Sequence, residues 1–309
     1  MKIAVIGTGG VGGYFGGRLA KAGKDVTFLA RGEHLRTMLN NGLTVKSILG
    51  DFKVQNIKAT DRIANIEKSD LIIIATKAWQ IKDIRNDLKK IVHPESIVLP
   101  LQNGISAADD LAGALYKSNI LGGLCRIISK VESPGVIDHF AVTPIIVFGE
   151  IDKTNSARTK VIKNLFDTAG IESKISDDIE AEIWKKFIGI CVSGLLAVTR
   201  SNYGELRSVK ETRHLMVDLL NEVFFLSQKI GIQIETDFVD KTVAAIDTFP
   251  FNSSTSLSRD VCEGRPSEIE YQNGTVVKLS ESHGVETPVN KFIYYCILPM
   301  ELKARGLSQ

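Results

Sequence analysis

Lys2-Ile3-Ala4-Val5-Ile6-Gly7-Thr8-Gly9-Gly10-Val11-Gly12 is the stretch whose reading decides the fold. Lys2–Ile6 has the β-branched, apolar character of a buried strand, and Val11–Ala22 has the period of a helix. Between them Gly7 through Gly12 satisfies G-x-G-x-x-G. The pattern alone is weak, but a strand that ends at its first glycine and a helix that opens inside it form the context in which it binds a dinucleotide. Gly7 permits the tight turn, Gly9 admits a pyrophosphate close to the backbone, and Gly12 allows helix and strand to approach. The amides of Thr8, Gly9, Gly10 and Val11 then lie at a helix start, where free N–H groups and the positive dipole end attract phosphate.

Working outward, short apolar strands are expected at Asp25–Ala30, Asp70–Ala75 and Ser96–Leu101, each separated from the next by helical stretches. Strands apolar on both faces and spaced by helices indicate a parallel sheet covered on both sides. Leu43–Val45 and Phe52–Val54, around Gly50-Asp51, look like a small hairpin, and further strand candidates are Asn119–Leu124, Gly135–Phe140 and Pro144–Phe148. Beyond residue 152 helical periods dominate: Ala157–Ala169, Asp177–Val198, Val209–Ile230, Asp237–Ile246, Glu268–Glu281 and Pro288–Leu302. Ile171–Ile175 is expected to add one more strand to the sheet. The fold class is therefore α/β, with an N-terminal Rossmann-type parallel-sheet domain over 1–177 and an all-helical C-terminal domain over 178–309.

Composition narrows the function classes. The 309 residues are 44% hydrophobic and 24% charged, the balance of a globular chain with a real core. Lys plus Arg number 38 against 36 Asp plus Glu, for a net charge of +2. That balance gives no support for a nucleic-acid or membrane-surface partner, although a local basic patch stays open. The apolar run before Gly7 is too short for a signal peptide, and Phe187–Val198 is too short to span a bilayer, so a cytoplasmic protein is expected. Cys125, Cys191, Cys262 and Cys296 are scattered, as are the five histidines, so neither a disulfide framework nor a metal site is expected.

Cofactor choice is read at the end of the second strand. There a dinucleotide-binding chain that prefers NAD usually carries a carboxylate, whereas this chain carries Arg31. A guanidinium suits a 2′-phosphate, so NADPH is expected over NADH, with Glu33 nearby as the competing signal. Lys77, in Thr76-Lys77-Ala78-Trp79-Gln80, follows the fourth strand at the carboxyl edge of the sheet, where ligands bind. Asn103-Gly104 is first of all a turn signal, and Lys186, in Trp184-Lys185-Lys186-Phe187, could simply extend its ammonium from an apolar helix to solvent.

Taken together, these segments resemble the ketopantoate reductase (2-dehydropantoate 2-reductase) family. The resemblance runs through Gly7–Gly12, Lys77-Ala78-Trp79-Gln80, Asn103-Gly104, Trp184-Lys185-Lys186, Gly204-Glu205-Leu206, Ser256–Asp260, Gly264-Arg265, Glu268-Ile269 and Asn273-Gly274. It implies an enzyme with its active site between the two domains, reducing a small 2-oxo acid with NADPH. By it, Lys186 is the catalytic lysine and Glu268 its supporting carboxylate, at the junction of cofactor and substrate. It also implies that Lys77 and Asn103 lie near the nicotinamide ribose, and that Asn103, Lys186 and Ser256 meet the substrate. The chain departs from the family pattern at several pocket asparagines, where it has Ile190, Gly194, Tyr203 and Ser253. Asn252 could serve in place of the last, and Asn202 in place of Tyr203. Three readings stay open: the ketopantoate reductase, a paralogue for another branched 2-oxo acid, and a nucleotide-binding sensor without catalysis. Apolar helical faces in the second half could pack internally or form a homodimer.

Overall fold

The computed structural model describes residues 1–307. The chain divides into two compact units, one of Met1–Gln102 with Ser106–Ile179, the other of Asn103–Ile105 with Glu180–Gln309. Residue 177, where the sequence suggests the boundary, lies in the short connection before the helix that begins at Ile179.

In the first unit the elements run β1 (Lys2–Ile6), α1 (Gly10–Lys21), β2 (Asp25–Leu29), α2 (Gly32–Asn41), β3 (Leu43–Ser47), β4 (Phe52–Val54), β5 (Lys58–Thr60) and β6 (Leu71–Ile74). There follow α3 (Gln80–Leu88), β7 (Ile97–Pro100), α4 (Ala107–Ala112), β8 (Gly122–Ser133), β9 (Val136–Gly149), α5 (Ala157–Thr168) and β10 (Glu172–Ile175). Five strands form a parallel sheet in the order β5-β2-β1-β6-β7. Alternate residues of β1 enter opposite cores: Ile3 and Val5 pack with Phe15 and Leu19 of α1, while Ala4 and Ile6 pack with Ile81 and Ile84 of α3. That double burial is why β6 and β7 read as unbroken apolar runs.

A second sheet was not foreseen. It has the order β10-β9-β3-β4, with β8 paired to β9 as a long antiparallel hairpin. The expected hairpin is present as β3 and β4, which pair antiparallel with Leu43 opposite Val54. The strand at Ile171–Ile175 does not extend the first sheet: β10 pairs in parallel with β9, Glu172 opposite Ile145.

The second unit is helical: α6 (Ile179–Ile190), α7 (Val192–Thr199), α8 (Tyr203–Ser208), α9 (Lys210–Ile230), α10 (Phe238–Asp247), α11 (Ser256–Cys262), α12 (Asn273–His283) and α13 (Pro288–Ala304). Phe187, Ile188, Met216, Leu220, Ile269, Val276, Ile293 and Ile297 are among the side chains of its core. The single helix expected over Asp177–Val198 is two, broken at Cys191. The helix expected from Glu268 begins only at Asn273, after a 3-10 turn over Ile269–Tyr271. Among the described residues no helix is long and apolar enough to cross a membrane.

Candidate functional site

The glycine turn is built by steric demand. Gly7 has φ +98°, and a Cβ there would stand 2.8 Å from Thr76. A Cβ on Gly12 would lie 2.1 Å from the Gly7 carbonyl and 3.1 Å from Ala75, so only glycine lets α1 start this close to the strands. Around Gly9, by contrast, the Cβ direction is open to 4 Å, leaving space for a ligand against the backbone. No side chain caps α1, whose N-cap is Gly9, so its leading amides have no side-chain acceptor. Gly10 has a role that the sequence did not reveal: a Cβ there would meet the Ser129 carbonyl at 2.5 Å. The Thr8 side chain is spent internally, since both its N–H and its Oγ1 donate to the Leu29 carbonyl at 3.1 and 2.9 Å. Thr8 therefore fixes the turn to the end of β2 with its hydroxyl.

Gly7, Thr8, Arg31, His34 and Thr76 line one open depression. Arg31 is exposed, and among the described residues its guanidinium forms no hydrogen bond or ion pair. Glu33, the carboxylate near the end of β2, pairs with Arg36 at 2.6 Å on the surface. His34 was missed by sequence reasoning, because its partner is a backbone amide far along the chain. Its Nδ1 accepts from the Gly135 N–H at 3.0 Å, which leaves the ring proton on Nε2. Burial pushes its pKa down, with the Thr8 backbone partly opposing. Lys77 stands after β6, its N–H donating to Gln80 Oε1 at 3.1 Å and its ammonium 5.8 Å from the centre of the Trp79 ring.

In the helical unit, Asn103 and Glu268 meet across 165 residues: Asn103 Nδ2 donates to Glu268 Oε2 at 3.1 Å. Glu268 is buried and stands at the head of the 3-10 turn. The adjoining Gly104 has φ +93°, and a Cβ there would be 2.7 Å from the Tyr271 carbonyl. Asn103-Gly104 is thus both the turn its dipeptide suggests and a contact with the segment that carries Glu268. Lys185 and Lys186 occupy consecutive, half-buried positions of α6. Lys185 forms an ion pair with Glu235 at 2.8 Å, which makes it a structural cation.

The departures from the family pattern each have a local account. Ile190 packs against the core. A Cβ on Gly194 would stand 2.4 Å from Asn273 Oδ1, so the space for a side chain at 194 is already filled. Tyr203 is buried edge-on against Phe249, ring centres 5.0 Å apart, and burial pushes its phenol pKa far up. Asn202, the neighbouring amide, caps the helix that follows. Its Oδ1 accepts from the Glu205 N–H while the Glu205 carboxylate accepts from the Asn202 N–H, both at 2.9 Å, which is a helix-capping box. Ser253 closes a turn on the Pro250 carbonyl at 2.7 Å. Asn252 and Ser256 are exposed, Ser256 in the first turn of α11, and among the described residues neither side chain forms a hydrogen bond.

An open parallel sheet with an uncapped glycine-rich helix start, followed by a helical unit holding a lysine and an amide-bonded carboxylate, defines a class: dinucleotide-dependent oxidoreductases of two-domain build. Comparison with known proteins narrows it. The family model described as ketopantoate reductase PanE/ApbA matches residues 3–153, and that described as its C-terminal domain matches 178–301. The chain belongs to the ketopantoate reductase family and is an oxidoreductase. It is 31% identical over 300 residues to a 2-dehydropantoate 2-reductase from a Nostoc species, covering 95% of this chain and 93% of that one. It is 30% identical over 297 residues to YkpB of Bacillus subtilis, named only as an uncharacterized oxidoreductase, covering 95% and 97%. The crystal structure of a PanE/ApbA family ketopantoate reductase from Ralstonia eutropha superposes with a TM-score of 0.91 at 26% identity, covering 99% of this chain and all of that one.

Proposed function

We propose that this chain reduces 2-dehydropantoate to pantoate with NADPH, with Lys186 as the proton donor, a step toward pantothenate. The observation that carries the reading is the Asn103–Glu268 hydrogen bond, which gathers on one unit two residues that the family resemblance assigns to the reacting centre. The first unit holds the dinucleotide, with the amides of Gly9, Gly10 and Val11 toward the pyrophosphate. Arg31 meets the adenosine 2′-phosphate, a role its unpaired guanidinium suits. When bound, the reduced nicotinamide supplies a hydride to C2 of the 2-oxo acid. As charge grows on the carbonyl oxygen, the Lys186 ammonium donates a hydrogen bond to it and then its proton, giving the 2-hydroxy acid. Glu268, oriented by Asn103, favours the charged form of that ammonium against desolvation. Lys77 and Asn103 steady the nicotinamide ribose, while Asn103, Ser256 and Asn252 offer hydrogen bonds to the substrate's carboxylate and hydroxyl. The partner is a small 2-oxo acid, and the setting is cytoplasmic.

An NADPH-oxidation assay with ketopantoate tests the reading. Stoichiometric formation of pantoate is expected, and NADPH binding without turnover would refute it. A second reading is favoured by Ile190, Tyr203 and Gly194, which take polar groups away from positions where the family has asparagines. A hydrogen bond to a charged group is worth roughly 1.5–3 kcal/mol, so losing two shifts specificity by orders of magnitude. On that reading the substrate is another branched 2-oxo acid. A panel of 2-oxo acids decides: a substrate lacking the 4-hydroxyl that turns over better than ketopantoate selects the paralogue.

A further inference from the structure

Asn273 and Asn290 are fully buried amides of the helical unit, and neither has a part in the mechanism above. Their hydrogen bonds form one chain. Glu222 accepts from the N–H groups of Val289 and Asn290 at 2.8 and 2.9 Å and from Asn290 Nδ2 at 2.7 Å. This carboxylate orients the Asn290 amide, turning its Oδ1 toward Asn273, whose Nδ2 donates to it at 2.9 Å. The same Nδ2 donates to the Cys191 carbonyl at 3.1 Å. An acceptor at each end therefore fixes which way the Asn273 amide faces, and its Oδ1 is left buried without a partner. That oxygen is the one that would stand 2.4 Å from a Cβ on Gly194.

We infer that Asn273 is a positioning residue for the reaction, its amide tying the end of the helix that carries Lys186 to the segment that carries Glu268. Cys191 is the joint between α6 and α7, one residue past the last turn of the Lys186 helix. On the other side, backbone bonds from Tyr271 N to the Glu268 carbonyl (3.0 Å) and Gln272 N to the Ile269 carbonyl (3.2 Å) couple Asn273 to Glu268 through continuous structure. An unpartnered buried acceptor is a feature that a site selected for stability alone would shed. Its presence, with a glycine opposite to make room, fits a demand for geometry, because a misplacement near 1 Å can cost about 10²-fold in rate.

The inference rests on the role proposed for Lys186, so Lys186→Ala is run beside it. Asn273→Leu keeps the branched shape and the number of heavy atoms and removes both N–H donors. It is expected to lower kcat on ketopantoate roughly 10- to 100-fold, with the Kd for NADPH within about twofold, since the nucleotide turn lies in the other unit. The basic limb of the kcat–pH profile is expected to move to lower pH, because an ammonium that loses its carboxylate gives up its proton more easily. An unmoved limb, with or without a fall in kcat, overturns the inference and leaves Asn273 a purely structural amide. Should Asn273→Leu fail to fold, Gly194→Ala decides. It removes no polar group but displaces the Asn273 amide, and the same two shifts, smaller in size, are expected from it; an unchanged limb is again fatal. If Lys186→Ala keeps wild-type turnover, the proposed function falls first. If it abolishes turnover while both other variants behave as wild type, only the positioning role falls.

Discussion

Lys185 and Lys186 are neighbours in sequence with different fates. The ammonium of Lys185 is committed to Glu235 at the surface, and a pair with that much exposure is worth about 0–1 kcal/mol, so Lys185→Ala should leave kcat within a few-fold. Lys186→Ala removes the proposed acid, and a loss of about 10²–10⁴ in kcat is expected with NADPH affinity preserved. Stopped-flow turnover beside fluorescence titration of NADPH separates the two effects, and similar losses in both variants would contradict the assignment. Arg31 makes the complementary case at the cofactor. Arg31→Ala should raise the KM for NADPH about 10- to 100-fold while leaving that for NADH nearly unchanged, because only the 2′-phosphate is lost as a partner. Equal effects on both cofactors would mean that the guanidinium does not read the phosphate. At this scale the position of Arg31 directly after β2 was legible in the sequence. His34 and Asn273 were not, since each is defined by what faces it: Gly135 in one case, Cys191 and Asn290 in the other.

Among elements, the turn at Asn103-Gly104 shows how a local signal acquires a distant meaning. Alanine at 104 would sit at φ +93° with its Cβ 2.7 Å from a backbone carbonyl that cannot rotate away. Left-handed strain alone costs of order 1–3 kcal/mol. Gly104→Ala is therefore expected to lower Tm and, by shifting the adjacent Asn103 from Glu268, to reduce kcat more than it raises the KM for NADPH. A fall in Tm with unchanged kcat would show that the turn supports the fold but not the site. The dipeptide announced the turn; its contact with Glu268 could not be read across 165 residues. Where periodicity was uninterrupted, as in Leu71–Ile74 or Lys210–Ile230, the elements were plain in the sequence. Three short strand candidates, Asn119–Leu124, Gly135–Phe140 and Pro144–Phe148, instead overlap the longer hairpin of β8 and β9, the first only from Gly122 onward. Its register shifts near Arg126, Ile128 and Val131, and its exposed polar residues at Lys130 and Glu132 interrupt the alternation that would reveal its length. The break at Cys191 was equally hidden, because nothing apolar changes there; the Cys191 carbonyl is taken by the Gly194 N–H and the Asn273 amide.

For the molecule as a whole, near-equal numbers of acidic and basic residues keep general charge repulsion low at neutral pH, so the pH dependence of stability falls to a few placed groups. His34 comes first as pH falls. Burial holds its folded pKa below the ordinary value of 6.5, so its contribution is complete above pH 6.5 and is lost as the pH drops below that value toward the folded pKa. Carboxylates follow. Burial alone would push Glu150 up, but Arg158 and Ser156 outweigh it and hold the pKa below the ordinary 4.5. Glu270 is likewise raised by burial and lowered further by Lys278 and Tyr294. For both, the stabilisation is present above pH 4.5 and disappears as acid carries the pH down through their folded values. The Tm of the wild-type protein should therefore fall in two stages, a shallow one that begins below about pH 6.5 and a steeper one that begins below about 4.5. His34→Asn should flatten the first stage and leave the second intact, whereas Glu150→Gln should lower Tm at pH 7 and blunt only the second. Because His34 lines the depression with Arg31, bound NADPH would oppose opening there, and the first stage should shrink in its presence by mass action. A wild-type Tm that stays level from pH 7 to 5, or a first stage indifferent to His34→Asn, would show that this imidazole is not buried as a neutral ring.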